Sequence, residues 1–164
     1  MQVDGYSTVF SGDLGGRSTH LRDIDTPPKA DQLVIESTYG DLHTHKGYSD
    51  GETDLFNEIS RAIERGNPVL IPTFAVGRAQ ALLLMLSNRL HALPENLDDN
   101  VQVVVDGMAK EATRLYQTHT DDEQYFSDSI VNRVKNGDEY VIEPEGVYYP
   151  QSDADRREIL DRYS

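Results

Sequence analysis

Leu33-Val34-Ile35-Glu36-Ser37-Thr38-Tyr39-Gly40 is the stretch whose reading decides the fold. Three apolar, mostly β-branched residues run into a carboxylate, two hydroxyls and a glycine. Such a run reads as a buried strand whose C-terminal end delivers Glu36 and Ser37 to a polar edge. In open α/β sheets, ligands bind at the C-terminal ends of strands. Thr8-Val9-Phe10 ends in the same manner, in Ser11-Gly12-Asp13. Two strands are therefore expected to bring one carboxylate each to a common edge.

Downstream, strands alternate with helices. Leu55, Phe56, Ile59, Ala62 and Ile63 share one helical face, with Ser49 and Glu52 at capping-box spacing and Gly66 placed to end the helix. Val69 to Phe74 reads as a short buried strand. Gly77-Arg78 opens a helix carrying Ala79, Leu82, Leu83, Leu86 and Leu90; Leu84 and Met85 make it apolar nearly all round, so cover on more than one side is expected. An acidic loop, Pro94 to Asn100, leads to a strand, Val101 to Val105, ending in Asp106-Gly107. A helix with Met108, Ala112, Leu115 and Tyr116 on one face follows. These lengths predict βαβ units and a parallel sheet flanked by helices. In the tail, Phe126, Ile130, Val131 and Val134 fit a helix ending at Asn136-Gly137. Tyr140 to Ile142 and Val147 to Tyr149 read as short strands, and Asp153 caps a last helix with Ile159, Leu160 and Tyr163.

Composition narrows the class. The 164 residues carry 29 acidic and 15 basic side chains, a net charge of −14, with 18 Asp and only 4 Lys. This balance reads as adaptation to molar salt, where the Debye length falls to about 3 Å and self-repulsion is screened. In dilute buffer such a charge opposes nucleic-acid binding; in molar salt that objection largely lapses. There is no cysteine, hence no disulfide and no thiolate metal site, which suits a cytoplasmic location. No apolar run approaches transmembrane length, and Met1-Gln2-Val3-Asp4 does not resemble a signal peptide.

Taken singly, the chemical candidates have two readings each. Asp13 is either a turn-initiating residue or a metal-bridging carboxylate. Glu36, costly after an apolar strand unless paired, is either functional or held in a structural pair. His43 and His45 have i, i+2 spacing, but the segment reads as a solvated loop with no third ligand. Arg78 at a helix start either meets a phosphate or packs on acidic neighbours. His20, His91 and His119 are isolated. No Walker loop, GxGxxG, G-x-S-x-G or zinc-ribbon spacing is present.

In combination these signals point further. Phe10-Ser11-Gly12-Asp13-Leu14, then Leu33 to Gly40, then Glu58-Ile59 through Arg65-Gly66, then Val69-Leu70-Ile71-Pro72-Thr73-Phe74-Ala75-Val76-Gly77-Arg78-Ala79-Gln80-Ala81-Leu82-Leu83-Leu84 occur in order. This resembles a β-CASP nuclease of the metallo-β-lactamase superfamily, in the branch of archaeal homologues of the cleavage and polyadenylation specificity factor endonuclease. The similarity is close from Tyr6 to Leu90, extends through Val105 to Thr113, and thins after Tyr116. It implies that residues 1–40 are the last strands of a metallo-β-lactamase core and 41–164 part of a β-CASP domain. It implies that Asp13 bridges two zinc ions, and that Glu36 orients a catalytic histidine from later in a chain. Arg78 and Ser37 are weaker substrate-binding candidates.

The departures from the family are as informative. The family's His-x-His-x-Asp-His cluster lies upstream of the Asp13 strand, and only five residues precede Tyr6 here. Its two later histidine motifs would fall beyond Ser164. The expectation is a fragment of a zinc-dependent ribonuclease, of the RNA 3′-end processing or decay type, inactive alone and not holding zinc tightly. The alternatives are a non-catalytic module that binds RNA or protein, or part of a DNA-directed nuclease. The implied partners of the complete protein are single-stranded RNA and a second copy of the chain, with no membrane.

The charge yields a direct expectation. Thermal melting in molar KCl should occur at higher temperature than in dilute buffer; an equal or lower melting temperature in salt would remove the halophile reading.

Overall fold

The structure is a computed structural model that describes residues 2, 3, 5–14, 20–44, 46–93 and 101–162. His45, the acidic loop Pro94 to Asn100 and Tyr163 lie outside the described residues. The chain is α/β. A three-stranded sheet in the order β1-β2-β3 comprises β1 (Gln2–Val3), β2 (Tyr6–Phe10) and β3 (Gln32–Val34). Strands β1 and β2 form an antiparallel hairpin, whereas β2 and β3 are parallel, with Thr8 opposite Gln32, Val9 opposite Leu33 and Phe10 opposite Val34. Asp31 locks that register: its carboxylate accepts the Ser7 N–H at 2.9 Å and the Ser7 hydroxyl at 2.8 Å.

Five α-helices follow among the described residues: α1 (Tyr48–Glu64), α2 (Arg78–Arg89), α3 (Met108–Thr118), α4 (Asp128–Lys135) and α5 (Asp153–Arg162). Helix α1 starts at Gly47 with no side-chain cap, so the Ser49–Glu52 spacing does not act as a capping box. Its far end is as read from the sequence. Gly66 has φ +72°, its N–H donates to Ile63 O and the Asn67 N–H donates to Ala62 O, which closes a Schellman motif.

Helix α2 lies between two cores. On one side Leu84 packs with Phe126, Ile130, Val131, Val141 and Ile142. On the other, Met85 and Leu86 pack with Ile59 of α1, flanked by Leu55, Ile63, Ile71, Leu90 and Val103. An all-apolar helix is stable in water only when covered in this way. A backbone clamp draws the N-terminal segment onto the first core: Arg22 N–H donates to Tyr125 O and Ser127 N–H to His20 O, around a Leu21–Phe126 bridge.

The sheet is smaller than the sequence suggests. Val69 to Phe74 forms no strand, and Leu70 and Phe74 are 89% and 83% exposed. Leu33, Val34 and Ile35, read as buried, are exposed. Val101 to Val105 and Val147 to Tyr149 meet only at a parallel bridge between Val104 and Tyr148, and Tyr140 to Ile142 is not a strand. For Leu33 to Ile35 and Val69 to Phe74 the cause is common, whereas Val141 and Ile142 are covered in the first core without pairing as a strand. β-Branched, apolar runs encode a strand that is covered on both faces, and the described residues supply neither the flanking strands nor the cover.

Helix faces also differ in detail. In α3 the buried residue is Thr113, while Met108 and Leu115 are exposed. Helix α5 buries no residue, and Leu160 is exposed. A bidentate pair attaches it instead: Arg156 donates to Asp106 at 2.5 and 3.1 Å.

Several carboxylates are held below their ordinary pKa: Asp31 by the Ser7 N–H, Asp106 by Arg156, Glu123 by Lys135 and Asp155 by the Gln151 N–H. A depressed folded-state pKa stabilises above the unfolded carboxylate range, and that stability disappears as pH falls through the folded value. In molar KCl, where relief of net repulsion is screened out, the melting temperature should be flat near neutrality and fall from about pH 5 downward. A melting temperature that rises on acidification in that salt would contradict this assignment.

Candidate functional site

The parallel register places the two strand-end carboxylates. Phe10 and Val34 are opposite each other, so Asp13 leaves β2 and Glu36 leaves β3 at the same end of the sheet. Pairing continues past the strands, because the Ser11 N–H donates to Val34 O at 2.9 Å. The Ser11 hydroxyl then couples the two exits: it accepts the Glu36 N–H at 3.0 Å and donates to Gly12 O at 2.7 Å.

The Glu36 carboxylate is fixed by its own loop. Its Oε2 accepts the Thr38 N–H at 2.8 Å, and the Thr38 hydroxyl and Leu14 N–H also favour the charged form. Its pKa is accordingly lowered, first by the Thr38 N–H. Glu36 is thus an ionised acceptor near neutral pH, suited to receive a proton-bearing donor such as an imidazole N–H. It is not a general acid.

Asp13 is exposed. Among the described residues no group of three or more His, Asp or Glu could hold a metal ion. A catalytic zinc takes at least three protein ligands, so this donor set does not make a zinc site. His43 is exposed beyond the Tyr39 to Asp41 turn, and its expected partner, His45, is outside the described residues.

Ser37 is exposed, in the turn that follows Glu36, where the Gly40 N–H donates to Ser37 O at 3.1 Å. Arg78 belongs to a different element, at the start of α2. It is exposed, and its guanidinium makes no hydrogen bond or ion pair among the described residues. Among the described residues no acidic side chain pairs with Arg78. The structure thus brings Asp13, Glu36 and Ser37 to one sheet edge, while Arg78 stands on the helix that links the cores.

Two supporting residues were not assigned roles from sequence. Ser11 is one; a hydroxyl immediately after a strand, beside a glycine, is its only signal. Gln80 is the other. It is an amide on the buried face of α2, one turn before Leu83 and Leu84, and a polar residue at such a position always requires partners.

No family model matches the chain. Curated proteins do. An RNase J-like protein of Methanocaldococcus jannaschii is 37% identical over 139 residues, 83% of this chain and 32% of the relative. A ribonuclease of Thermus thermophilus is 42% identical over 94 residues, 57% of this chain and 22% of the relative. The cleavage and polyadenylation specificity factor 73 of Drosophila melanogaster is 33% identical over 121 residues, 73% of this chain and 17% of the relative. The chain spans about a third or less of the length of these relatives. With relatives of this identity on most of its length, and with both strand-end carboxylates delivered to one edge, the chain belongs to the β-CASP nucleases of the metallo-β-lactamase superfamily.

Proposed function

We propose that this chain supplies part of the active centre of a zinc-dependent ribonuclease, and that it is inactive by itself. The observation that carries this reading is the delivery of Asp13 and Glu36 to one sheet end by adjacent parallel strands. Asp13 contributes one oxygen ligand to a metal centre whose remaining ligands come from polypeptide outside these 164 residues. Glu36, ionised and held by the Thr38 N–H, accepts the N–H of a histidine from that same polypeptide and fixes its tautomer. The substrate is single-stranded RNA. Arg78 and Ser37 bind its backbone, Arg78 through a guanidinium that has no competing carboxylate among the described residues.

The domain division follows from this reading. Residues 1–40 belong with the metal-bearing core and 41–164 with the β-CASP domain. The exposed apolar side chains of Phe10, Leu33, Ile35, Leu70 and Phe74 are where the rest of that core packs. Soluble domains do not leave so many large apolar side chains uncovered without a partner surface. The net charge of −14 supports a salt-rich cytoplasm as its setting.

A second reading has its own support. The described residues contain no metal-ligand group, which suits a module that binds RNA or protein without cleaving.

A chimera separates the two. The segment of the M. jannaschii relative that aligns with this chain is replaced by the chain itself, and zinc content and cleavage of single-stranded RNA are measured. An active chimera is expected. Asp13→Ala should lose both metal and activity. Glu36→Gln should keep the metal and cleave about 10²-fold more slowly, the usual scale for removing one preorganised group. His43→Ala should behave as the parent. A fully active Asp13→Ala chimera would sink the ligand role, and a folded, RNA-binding, inactive chimera would favour the non-catalytic module.

A further inference from the structure

Gln80 has no solvent exposure, yet it lies on the helix that joins the two cores. A buried amide without hydrogen-bond partners is strongly disfavoured. Every polar hydrogen and an acceptor site of Gln80 is engaged. Its Oε1 accepts the Gly77 N–H at 2.7 Å. Its Nε2 donates to Ala75 O at 3.1 Å and to the Thr113 hydroxyl at 2.9 Å. Thr113 is equally buried and belongs to α3.

One side chain therefore grips the backbone on both sides of Val76 and anchors it to a distant helix. The gripped segment is not a default conformation. Gly77 sits at φ +81°, a region that side-chain-bearing residues avoid, and the next residue is Arg78. The local backbone braces the same turn, with the Arg78 N–H donating to Val76 O at 3.0 Å and the Ala79 N–H to Phe74 O at 3.2 Å, and Gln80 adds the contact that ties it to α3. A leucine at position 80 would fill similar space in the core. It would remove the side-chain hold on the Ala75–Gly77 turn and its tie to Thr113.

We infer that Gln80 is a positioning residue: with Thr113 it fixes the Ala75–Gly77 turn so that Arg78 is presented to the phosphates of single-stranded RNA. This rests on the reading of Arg78 given above. Gln80 and Thr113, both buried, do not touch RNA. Their effect on affinity passes through Arg78, so removing Arg78 should make them irrelevant to binding. A purely structural role predicts the opposite, an effect that adds to that of Arg78→Ala.

The test is a titration of the ¹⁵N-labelled chain with a uridine octanucleotide, followed by amide and guanidinium shifts. Arg78→Ala should weaken binding about fivefold or more, and Gln80→Leu and Thr113→Val about threefold. Thr113→Ser, which keeps the hydroxyl, should match the parent. The double variant Arg78→Ala with Gln80→Leu should bind no more weakly than Arg78→Ala alone. Hydrogen exchange at the Gly77 amide should accelerate in Gln80→Leu and in Thr113→Val. If Gln80→Leu does not fold, the contrast between Thr113→Val and Thr113→Ser decides. An Arg78→Ala chain that binds like the parent, or a parent whose Arg78 signals do not move, overturns the reading of Arg78 and this inference with it. Weakening by Arg78→Ala with none from Gln80→Leu or Thr113→Val, or with additive effects, overturns the inference alone.

Discussion

The two-sided burial of α2 is the constraint on which the rest of the molecule depends. Leu84 faces one core while Met85 and Leu86 face the other, so neither cluster can be assembled without this helix. Each buried leucine or methionine of this kind is worth about 2–5 kcal/mol against alanine. The exposed ion pairs are of a different order. Pairs such as Arg61–Glu58 and Lys135–Glu123 are exposed on both partners and contribute little, less still in salt. Placement of the helices is accordingly an apolar matter, and the abundant surface charge governs solution behaviour more than fold.

The sheet obeys a different logic. Its strands are held edge to edge by β2–β3 pairing and by the Asp31–Ser7 contacts, while its apolar side chains remain open. A strand such as Val69 to Phe74 cannot be completed by the described residues, because a parallel ladder needs a neighbour before its backbone groups are satisfied. Hydrogen bonding at the Asp13–Glu36 end is local by comparison. Ser11, Thr38 and the Leu14 N–H all come from the two loops concerned, so this edge is ordered without the missing cover. That difference explains how a sheet can be small and open while its Asp13–Glu36 end stays arranged.

What was legible in the sequence follows the range of the interaction. Helices with their own apolar stripe could be read: Phe56 and Ile59 in α1, Leu83 and Leu86 in α2, and Ile130 and Val131 in α4 are buried as their spacing implies. So could the local device at Gly66. Strands were read from composition, but burial of Leu33 to Ile35 and pairing of Val69 to Phe74 depend on partners that local pattern does not specify. In α3 the expected face was right in part: Tyr116 packs on the first core and Ala112 is half-buried, but Met108 and Leu115 are exposed. Thr113, not Met108 or Leu115, faces inward, because Gln80 offers a hydrogen-bond partner there and hydropathy alone ranks threonine below methionine. At the candidate site, the shared edge of Asp13 and Glu36 was legible from the matching strand ends, whereas the Ser11 bridge between them was not.

The strand-end acids show how one residue pattern separates into two roles. Asp106 also follows an apolar run and precedes a glycine, as Glu36 precedes a polar turn. Yet Asp106 is taken up by the Arg156 guanidinium, which attaches a helix that buries nothing of its own. Glu36 has no cation among its partners in the described residues; backbone and hydroxyl donors there lower its pKa. A carboxylate neutralised by arginine has little left to offer an imidazolium or a metal. One held by neutral donors keeps its full charge and lone pairs available. By that criterion Glu36 is poised for a further partner and Asp106 is already satisfied. The same criterion separates Arg78, which faces no carboxylate among the described residues, from Arg156, which faces two.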